Sequence, residues 1–459
     1  MINKLIYNVI GIISLLIVSA HLSCNKFVEV PLPKDQSQTS TVFSNTESAT
    51  AAVIGLYAQM QTTNLAITNG GLTIYGGLSA DELKNTAASI DLDAFYNNNI
   101  PANNTTGILS RLWTAAYKYI YHSNLIIEAV DNSSTLPDSV ATSLKAEAAF
   151  IRGFIYHYLY QLFGDVPLIL STDYRISAAM ERTPIDDVKK QVLHDLTYAY
   201  NHLPAKPFAN KARPCKFTTA ALLARYYLYE ALWQQAFDKA NEVINCQLFE
   251  LEPVLTNVFL LQSKETIWQL PKATGNTVEG TTFIPATGAS ARPAYELVPS
   301  LIQSFPLNDK RLGAWIVTKT VTGQRYYYPF KYKQRVSSPV TEGYIVMRLA
   351  EQYLIRSEAA VKLSQMNVAI RDLNIVRSRA GLQPFTSEDA SAITDSLLLE
   401  NRRELFTEWG HRWLNLKRTG KVNDVLSVVK PFWANWAALY PIPEAEILKN
   451  PNLIQNPHY

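Results

Sequence analysis

The stretch that decides the fold is Thr218–Asn245, TTAALLARYYLYEALWQQAFDKANEVIN, in which small and aromatic residues recur at helical spacing. Apolar positions return every three or four residues on both sides of Leu232 and Trp233, which is the periodicity of amphipathic helices. Two such helices joined by a short turn bury their apolar faces against each other. The stretch therefore predicts an antiparallel helix-turn-helix hairpin.

A comparable pair of helical segments recurs at Met347–Leu363 and Val368–Ala380. Its small and apolar positions can be laid over those of the first pair: Ala369, Leu373 and Val376 over Ala236, Ala240 and Val243. A first helix of the same type is indicated at Lys145–Tyr160. Such degenerate pairs follow a loose tetratricopeptide pattern. We therefore predict an all-α dominated fold with a tetratricopeptide-like scaffold of helical hairpins.

Further amphipathic helices are bounded by Pro, Gly and acidic first-turn residues: Thr46–Met60, Leu109–Val130, Pro137–Phe163, and Thr183 to a point near Pro204. Between the helices, Gly70–Asn104 is rich in Gly, Asn, Thr and Asp, and Leu251–Pro339 mixes Pro, Gly and aromatics. We predict long loops there, with a few short strands such as Thr266–Leu270. Long loops inside a folded protein are commonly functional.

Composition indicates a folded globular chain and excludes a nucleic-acid binder. Hydrophobic residues make up 47% of the 459 residues, charged residues make up 18%, and the formal net charge is only +3. Neutralising several phosphates requires a concentrated stripe of Lys and Arg, which this sequence lacks. The 25 tyrosines suit helix packing first, and stacking on sugar rings or peptides second.

The N-terminus is typical of a lipoprotein export signal. Lys4 supplies a positive charge, Leu5–Ala20 is apolar, and Leu22-Ser23-Cys24 closes the leader. The apolar run is too short for a comfortable membrane span of ~20 residues. We predict a signal peptide over residues 1–23 and acylation of Cys24, which would hold the mature protein on a membrane. The alternative is ordinary secretion, with cleavage nearby and Cys24 free.

The two remaining cysteines, Cys215 and Cys246, frame the predicted hairpin at one end. A disulfide is conceivable there, but it needs Cα atoms about 4.4–6.8 Å apart. We favour two free, half-buried thiols.

No motif for catalysis, metal or cofactor binding stands out. One helix carries acidic residues at i+4 spacing with interleaved arginines: Glu400, Glu404 and Glu408 with Arg402, Arg403 and Arg412. This pattern favours a structural ion-pair network over the two facing carboxylates of a glycosidase. The seven histidines lack metal-ligand spacing, and Asp91 with Asp93 is a poor calcium signature. We predict a non-catalytic protein without metal or cofactor.

Several separated strings resemble one known family. They are CNKFVEVP (24–31), Gly55–Tyr57, AEAAFIRG (146–153), FGDVPL (163–168), RLAE (348–351), SEA (357–359), LNIVRSRAGL (373–382), ENRRELFTEWGHRW (400–413), KRTG (417–420), YPIP (440–443) and NPNLIQNP (450–457). Together, and in this order, they resemble the SusD/RagB family from Cys24 to Tyr459. The resemblance implies the following regions: SusD-like N-terminal over 24–215, helical hairpin over 216–250, and C-terminal over 251–459, divided into a loop-rich insertion (251–340), a helical part (341–420) and a tail (421–459).

The resemblance implies a surface-exposed lipoprotein of the outer membrane. It also implies a partner, a SusC-like TonB-dependent transporter, over which the protein acts as a ligand-binding lid. Family members mostly bind oligosaccharides, and some take peptides, so peptide cargo in the manner of RagB is the first alternative. A surface glycosidase and a protein-interaction scaffold are the others, since tetratricopeptide hairpins also hold peptides in a groove.

Ligand-binding candidates come from the two loop regions, because sugars need flat aromatic faces with polar groups nearby. The first loop places Asp81 and Glu82 ahead of two aromatics and three amides: Phe95, Tyr96, Asn97, Asn98 and Asn99. The later loop adds five aromatics and two arginines: Phe283, Tyr295, Trp315, Tyr326 and Tyr327, with Arg292 and Arg325. Tyr96 is the best single candidate. Core packing is the alternative role for each ring.

Overall fold

The computed structural model describes residues 39–103, 107–272, 274–336 and 338–459, so the predicted signal peptide and Cys24 lie outside the described residues. The helices there are α1 (Thr39–Val42), α2 (Thr46–Gln59), α3 (Leu72–Ser79), α4 (Ile90–Tyr96), α5 (Ile108–Asp131), α6 (Asp138–Phe163), α7 (Tyr174–Ser177), α8 (Ile185–His202), α9 (Lys216–Tyr229), α10 (Trp233–Asn245), α11 (Val278–Phe283), α12 (Pro299–Ser304), α13 (Lys310–Trp315), α14 (Leu349–Lys362), α15 (Met366–Arg379), α16 (Ala390–Leu405), α17 (His411–Arg418), α18 (Val422–Val429) and α19 (Glu444–Lys449). The strands are β1 (Leu83–Asn85), β2 (Thr266–Leu270), β3 (Tyr295–Leu297), β4 (Ile316–Val321), β5 (Gln324–Pro329) and β6 (Tyr344–Arg348).

The strands pair only two by two, all antiparallel, as β1–β3, β2–β6 and β4–β5. Helices therefore dominate the described residues, as the sequence predicts. The chain divides into an N-terminal unit that ends at Val42 and a second unit from Phe43 to Tyr459. The features that follow belong to the second unit.

The predicted hairpins are present as α9–α10 and α14–α15, and α10 packs against α14. Their shared core consists of small and aliphatic residues: Ala224, Leu228, Ala236, Ala240, Ile355 and Ala359. The two turns have the same geometry. Leu232 N–H donates to Tyr227 O at 2.8 Å, and Gln365 N–H donates to Ala360 O at 2.8 Å. The preceding residue, Ala231 or Ser364, has a positive φ in each case, so the repeat extends to the backbone.

Both thiols are free, as predicted, and Cys246 is partly buried. Cys215 is fully buried, not half-buried as predicted.

Three segments differ from the sequence predictions. One is the second predicted loop, Leu251–Pro339, which contains three short helices, α11, α12 and α13. Met347 lies in β6, where every residue is buried against β2, so α14 begins only at Leu349. The first predicted loop contains two helices, α3 and α4. Helix α3 is buried on all sides, and a Cβ on its Gly76 would lie 2.9 Å from Gly410 Cα in the close approach to α17. A segment buried all round shows no amphipathic period, which is why its helix was missed.

A buried ionic network joins β6 to the end of α16. Arg348 donates from Nε to Glu408 Oε2 at 2.8 Å and from Nη1 to Glu265 Oε1 at 2.9 Å, and it also binds Glu404. Arg311 Nη1 reaches the other oxygen of Glu404 at 2.9 Å. Burial would raise the pKa of Glu404, but the surrounding guanidinium groups outweigh burial and hold this pKa well below its usual value.

The predicted structural role of Glu400, Glu404 and Glu408 is therefore confirmed, although their main partners come from other elements. The prediction that all three lie on one helix is wrong, because α16 ends at Leu405 and Glu408 follows it. Of the arginines expected to pair with them, Arg403 lies 3.9 Å from Glu400. Arg402 and Arg412 bind Asp81 instead.

Replacing Arg348 by Met should leave Glu265, Glu404 and Glu408 buried with too little positive charge around them. We expect the free energy of unfolding to fall by about 3–5 kcal/mol, the usual cost of breaking a buried ion pair. Urea unfolding followed by circular dichroism measures this loss.

Lys264→Met is the matched control, because Lys264 and Glu250 form an exposed pair at 3.2 Å. Its expected effect is about 1 kcal/mol or less. Equal losses in the two variants would contradict the role assigned to the network.

Candidate functional site

A short antiparallel ladder brings together the two loop regions in which the sequence analysis predicted ligand-binding residues. Strand β1 pairs with β3 so that Lys84 lies opposite Glu296. The ladder continues at both ends, because Val298 N–H donates to Glu82 O at 2.9 Å and Thr86 N–H donates to Ala294 O at 3.0 Å. Segments more than 200 residues apart in sequence therefore form one surface.

A pocket of about 310 Å³ opens beside this ladder. Its wall combines charged, hydroxyl and apolar groups: Asp81, Lys84, Tyr96, Glu296, Val298, Pro299, Ser300, Val429 and Lys430. Ligand pockets span about 300–1,000 Å³, so this one suits a short piece of a ligand rather than a long chain. Asp81 and Tyr96 are the members of the wall that the sequence predicted.

Tyr96 is the last residue of α4, a helix that begins at a clear capping signal. The Ser89 hydroxyl accepts from Leu92 N–H at 3.4 Å, and acidic residues occupy the first turn, where the helix dipole favours negative charge. The Tyr96 side chain is half-buried, and Lys430 Nζ lies 3.8 Å from its ring centroid. The ring is therefore both a wall of the pocket and a cation–π partner.

Lys430 was missed by the sequence analysis. It follows the apolar end of α18 directly, and its side chain is buried, with Nζ donating to Leu78 O at 2.8 Å and to Tyr96 O at 2.6 Å. Burial lowers the pKa of this ammonium to about 7, and nearby Asp81 offsets only part of that effect. In the sequence, a buried lysine that follows an apolar helix end looks the same as a lysine that is exposed to solvent there.

Asp81 is a structural anchor as well as part of the wall. Arg412 binds its carboxylate with Nε at 2.6 Å and Nη2 at 3.0 Å, and Arg402 Nη2 lies 2.8 Å from the second oxygen. Both carboxylate oxygens are thus engaged by guanidinium groups from the α16–α17 region. The expected direct ligand contact of Asp81 is replaced by a role in positioning the start of β1.

Glu82, the neighbour of Asp81, is buried. It accepts a hydrogen bond from Thr407 N–H at 3.2 Å, and burial raises its pKa to about 7. Its carboxyl group is not part of the pocket wall.

Besides Asp81, six predicted ligand residues are buried: Phe95, Asn98, Phe283, Tyr295, Trp315 and Tyr326. Phe95 packs between Tyr75 and Tyr440, at ring-centroid distances of 4.9 and 5.3 Å. Trp315 donates its indole N–H to Leu255 O at 2.9 Å. These rings have no free face for stacking, which corrects the expectation for them. Composition identifies the rings in a loop region, but packing decides which of them reach solvent.

The remaining candidates are accessible but lie outside the pocket wall. Arg292 and Arg325 are exposed, and Asn97 and Tyr327 are half-buried. Tyr327 and Arg325 belong to β5, which contacts β3. They therefore lie near the ladder without lining the pocket.

The structure places no metal centre at the site. Among the described ranges, no group of three or more His, Cys, Asp or Glu side chains is arranged to hold a metal ion. Asp93 accepts from Asn85 Nδ2 at 3.0 Å, which gives its carboxylate a role in the α4–β1 contact.

Two family models match most of the chain. Residues 26–228 match the model described as starch-binding associating with outer membrane, and residues 303–459 match the model described as the SusD family. Among curated relatives, SusD-like protein P2 of Formosa agariphila is 28% identical over 482 residues, which cover 90% of this chain and 92% of that protein.

Solved structures agree on the fold. A SusD superfamily protein from Bacteroides vulgatus superposes with a TM-score of 0.81 at 19% identity, over 90% of this chain and 99% of that one. A laminarin binding SusD-like protein gives a TM-score of 0.77 at 22% identity, over 91% of this chain and 100% of that one. The all-α, tetratricopeptide-like fold predicted from the sequence is confirmed.

The buried ammonium at the site should leave a signature in the pH dependence of stability. Between pH 7 and about 10 the unfolded chain keeps the Lys430 proton while the folded chain has lost it, because burial lowers the pKa of Lys430 to about 7 from its ordinary value of 10.5. Wild-type stability should therefore gain up to about 1.4 kcal/mol per pH unit from this group over that range.

Lys430→Gln removes the titration but keeps an N–H donor for the two carbonyl oxygens. We expect the free energy of unfolding of the variant, relative to that of wild type, to be highest at pH 7 and to decrease steadily towards pH 10. Urea unfolding at several pH values measures this difference. Parallel stability curves for the two proteins would contradict the burial of a charged lysine.

Proposed function

Because the chain belongs to the SusD/RagB family, we propose that it binds oligosaccharides at the cell surface and delivers them to a SusC-like TonB-dependent transporter. The observation that carries the ligand-binding part is the pocket beside the β1–β3 ladder, where a half-buried Tyr96 ring meets apolar and charged groups. A solved relative of the same fold is a laminarin binding protein, which supports a glycan as cargo.

The wall of the pocket has the chemistry that sugars require. Val298, Pro299 and Val429 offer apolar contact to the C–H faces of a pyranose, beside the ring of Tyr96. Ser300 and Lys84 supply polar groups for hydroxyls. Such a mixture of apolar surface and a few polar groups is typical of small-ligand sites.

The arrangement favours binding over hydrolysis. Glycoside cleavage uses two carboxyl groups, one as acid and the other as base or nucleophile. Both oxygens of Asp81 are held by Arg402 and Arg412, so this carboxylate already serves to bind the two guanidinium groups. Glu296 remains as a single acidic group on the wall, opposite Lys84 at 3.9 Å.

Removing the Tyr96 ring should weaken glycan binding. We expect Tyr96→Ala to lose roughly three- to tenfold in affinity, which corresponds to the 0.5–1.5 kcal/mol of an aromatic contact, whereas Tyr96→Phe should stay near wild type. A glycan array on the chain lacking residues 1–24 identifies the ligand, and calorimetry measures the affinities.

Tyr174→Ala is the surface control, because Tyr174 is an exposed aromatic residue on α7 and lies outside the pocket wall. The proposed site is wrong if Tyr96→Ala binds the ligand like wild type. Binding of peptides but no glycan on the array would favour the RagB-like alternative.

The surface location is proposed to depend on lipid at Cys24. No helix in the described part of the chain is long and apolar enough to cross a membrane. The leader and the cysteine that follows it match an acylated N-terminus.

Cys24→Ala should abolish incorporation of radiolabelled palmitate and release the protein from the outer-membrane fraction. Cys215→Ala is the matched control, since Cys215 is buried in the folded chain and should leave labelling unchanged. Label retained in Cys24→Ala, or wild-type protein found free in the periplasm, would contradict the anchor.

A further inference from the structure

Lys430 places a buried cation at the wall of the pocket. Its two hydrogen-bond partners, Leu78 O and Tyr96 O, lie at the carboxyl ends of α3 and α4. Carbonyl groups there lack helical partners and carry partial negative charge, which is why the ammonium tolerates burial. These bonds use two of its three N–H donors and leave one for a ligand.

Within the residues that the structure describes, no carboxylate forms a direct ion pair with this ammonium, and nearby Asp81 offsets only part of the cost of its burial. The acidic groups on the wall are already paired with other cations, Asp81 with Arg402 and Arg412, and Glu296 with Lys84. Carbonyl dipoles and the Tyr96 ring compensate the charge only in part. Burying a charge without a counter-charge raises the free energy of the folded state. An anion that bound in the pocket would remove this unfavourable contribution.

We infer that the pocket selects glycans with an anionic substituent, either the carboxylate of a uronic acid or a sulfate ester, which binds Lys430 while the sugar ring contacts Val298, Pro299 and Val429. This inference rests on the proposed function and narrows its ligand class. Lys84 lies at the exposed rim of the same wall but is paired with Glu296 at 3.9 Å, so Lys430 is the cation that the anion meets.

Anionic ligands are favoured over neutral ones for a physical reason. A neutral hydroxyl can accept one N–H from Lys430, but it leaves the charge uncompensated. An anionic oxygen both accepts the N–H and compensates the charge of the ammonium, and the partly desolvated wall strengthens this attraction further. The same ammonium repels amino sugars and cationic peptides, which gives the pocket selectivity as well as affinity.

Two matched ligand pairs test the inference on the chain lacking residues 1–24. The first pair is trigalacturonate and its carboxyl-reduced counterpart, and the second is a carrageenan tetrasaccharide and its desulfated form. At pH 6, calorimetry should give about tenfold tighter binding for the charged member of at least one pair. The pair that shows the difference identifies carboxylate or sulfate as the recognised group.

The variant Lys430→Gln should abolish this preference, bringing the affinity ratio within the pair to about one. It retains an N–H donor towards Leu78 O and Tyr96 O, so the loss reports the charge. Lys190→Gln is the control, because Lys190 is an exposed lysine on α8 paired with Asp187 and should keep the wild-type ratio. A wild-type ratio in Lys430→Gln overturns the inference.

A second measurement needs no variant. Free galacturonate should raise the melting temperature of the wild-type chain more than galactose does at the same concentration. Neutral glycans binding as tightly as charged ones would overturn the inference and leave the proposed function standing. If neither member of any pair binds and no glycan on the array does, both are overturned.

Discussion

The buried contact between Arg348 and the glutamates at the end of α16 is the constraint on which the rest of the structure depends. Arg348 is the last residue of β6, the strand that pairs with β2. The guanidinium group of Arg348 binds Glu404 and Glu408. This contact fixes the direction of α16 relative to the helical hairpins. Arg402 and Arg412, which belong to the same stretch of chain, then hold Asp81. The scaffold and the pocket are therefore positioned by one segment.

The two groups of charges differ in how completely they are compensated. In the network, each glutamate meets more than one cation, and the pKa of Glu404 stays well below its usual value although burial alone would raise it. A carboxylate of this kind stabilises the fold above its unfolded-state pKa, and this stability is lost as pH falls. At the pocket, Lys430 meets dipoles instead of a carboxylate. The glutamates of the network are therefore paired with opposite charges, whereas Lys430 is not.

The scaffold was predictable because its signal is local. The spacing of Ala236 and Ala240, repeated at Ala369 and Leu373, reports one face of a helix directly from the sequence. Strand β6 escaped prediction because pairing with β2 buries it on both faces, so it shows no alternation.

The site was predictable only in part, because its geometry comes from long-range contacts. The aromatic and acidic residues of the first loop drew attention to Tyr96 and Asp81, which do line the pocket. Nothing in the sequence indicates that Arg402 and Arg412 bind Asp81, or that Phe95 turns inward while Tyr96 faces the pocket. Lys430 was missed because its partners are backbone carbonyls in two distant helices.

The three-residue ladder between β1 and β3 has a consequence for how this architecture diversifies. The pocket beside it is walled mainly by these two strands and by the short helices α4, α12 and α18, not by the α9–α10 and α14–α15 hairpins, whose small residues are locked in a shared core. Substitutions at Lys84, Glu296 or Ser300 therefore change the recognition surface without disturbing helix packing. Proteins that share this scaffold can change their ligand specificity by single substitutions in the pocket wall, while the repeat core stays the same.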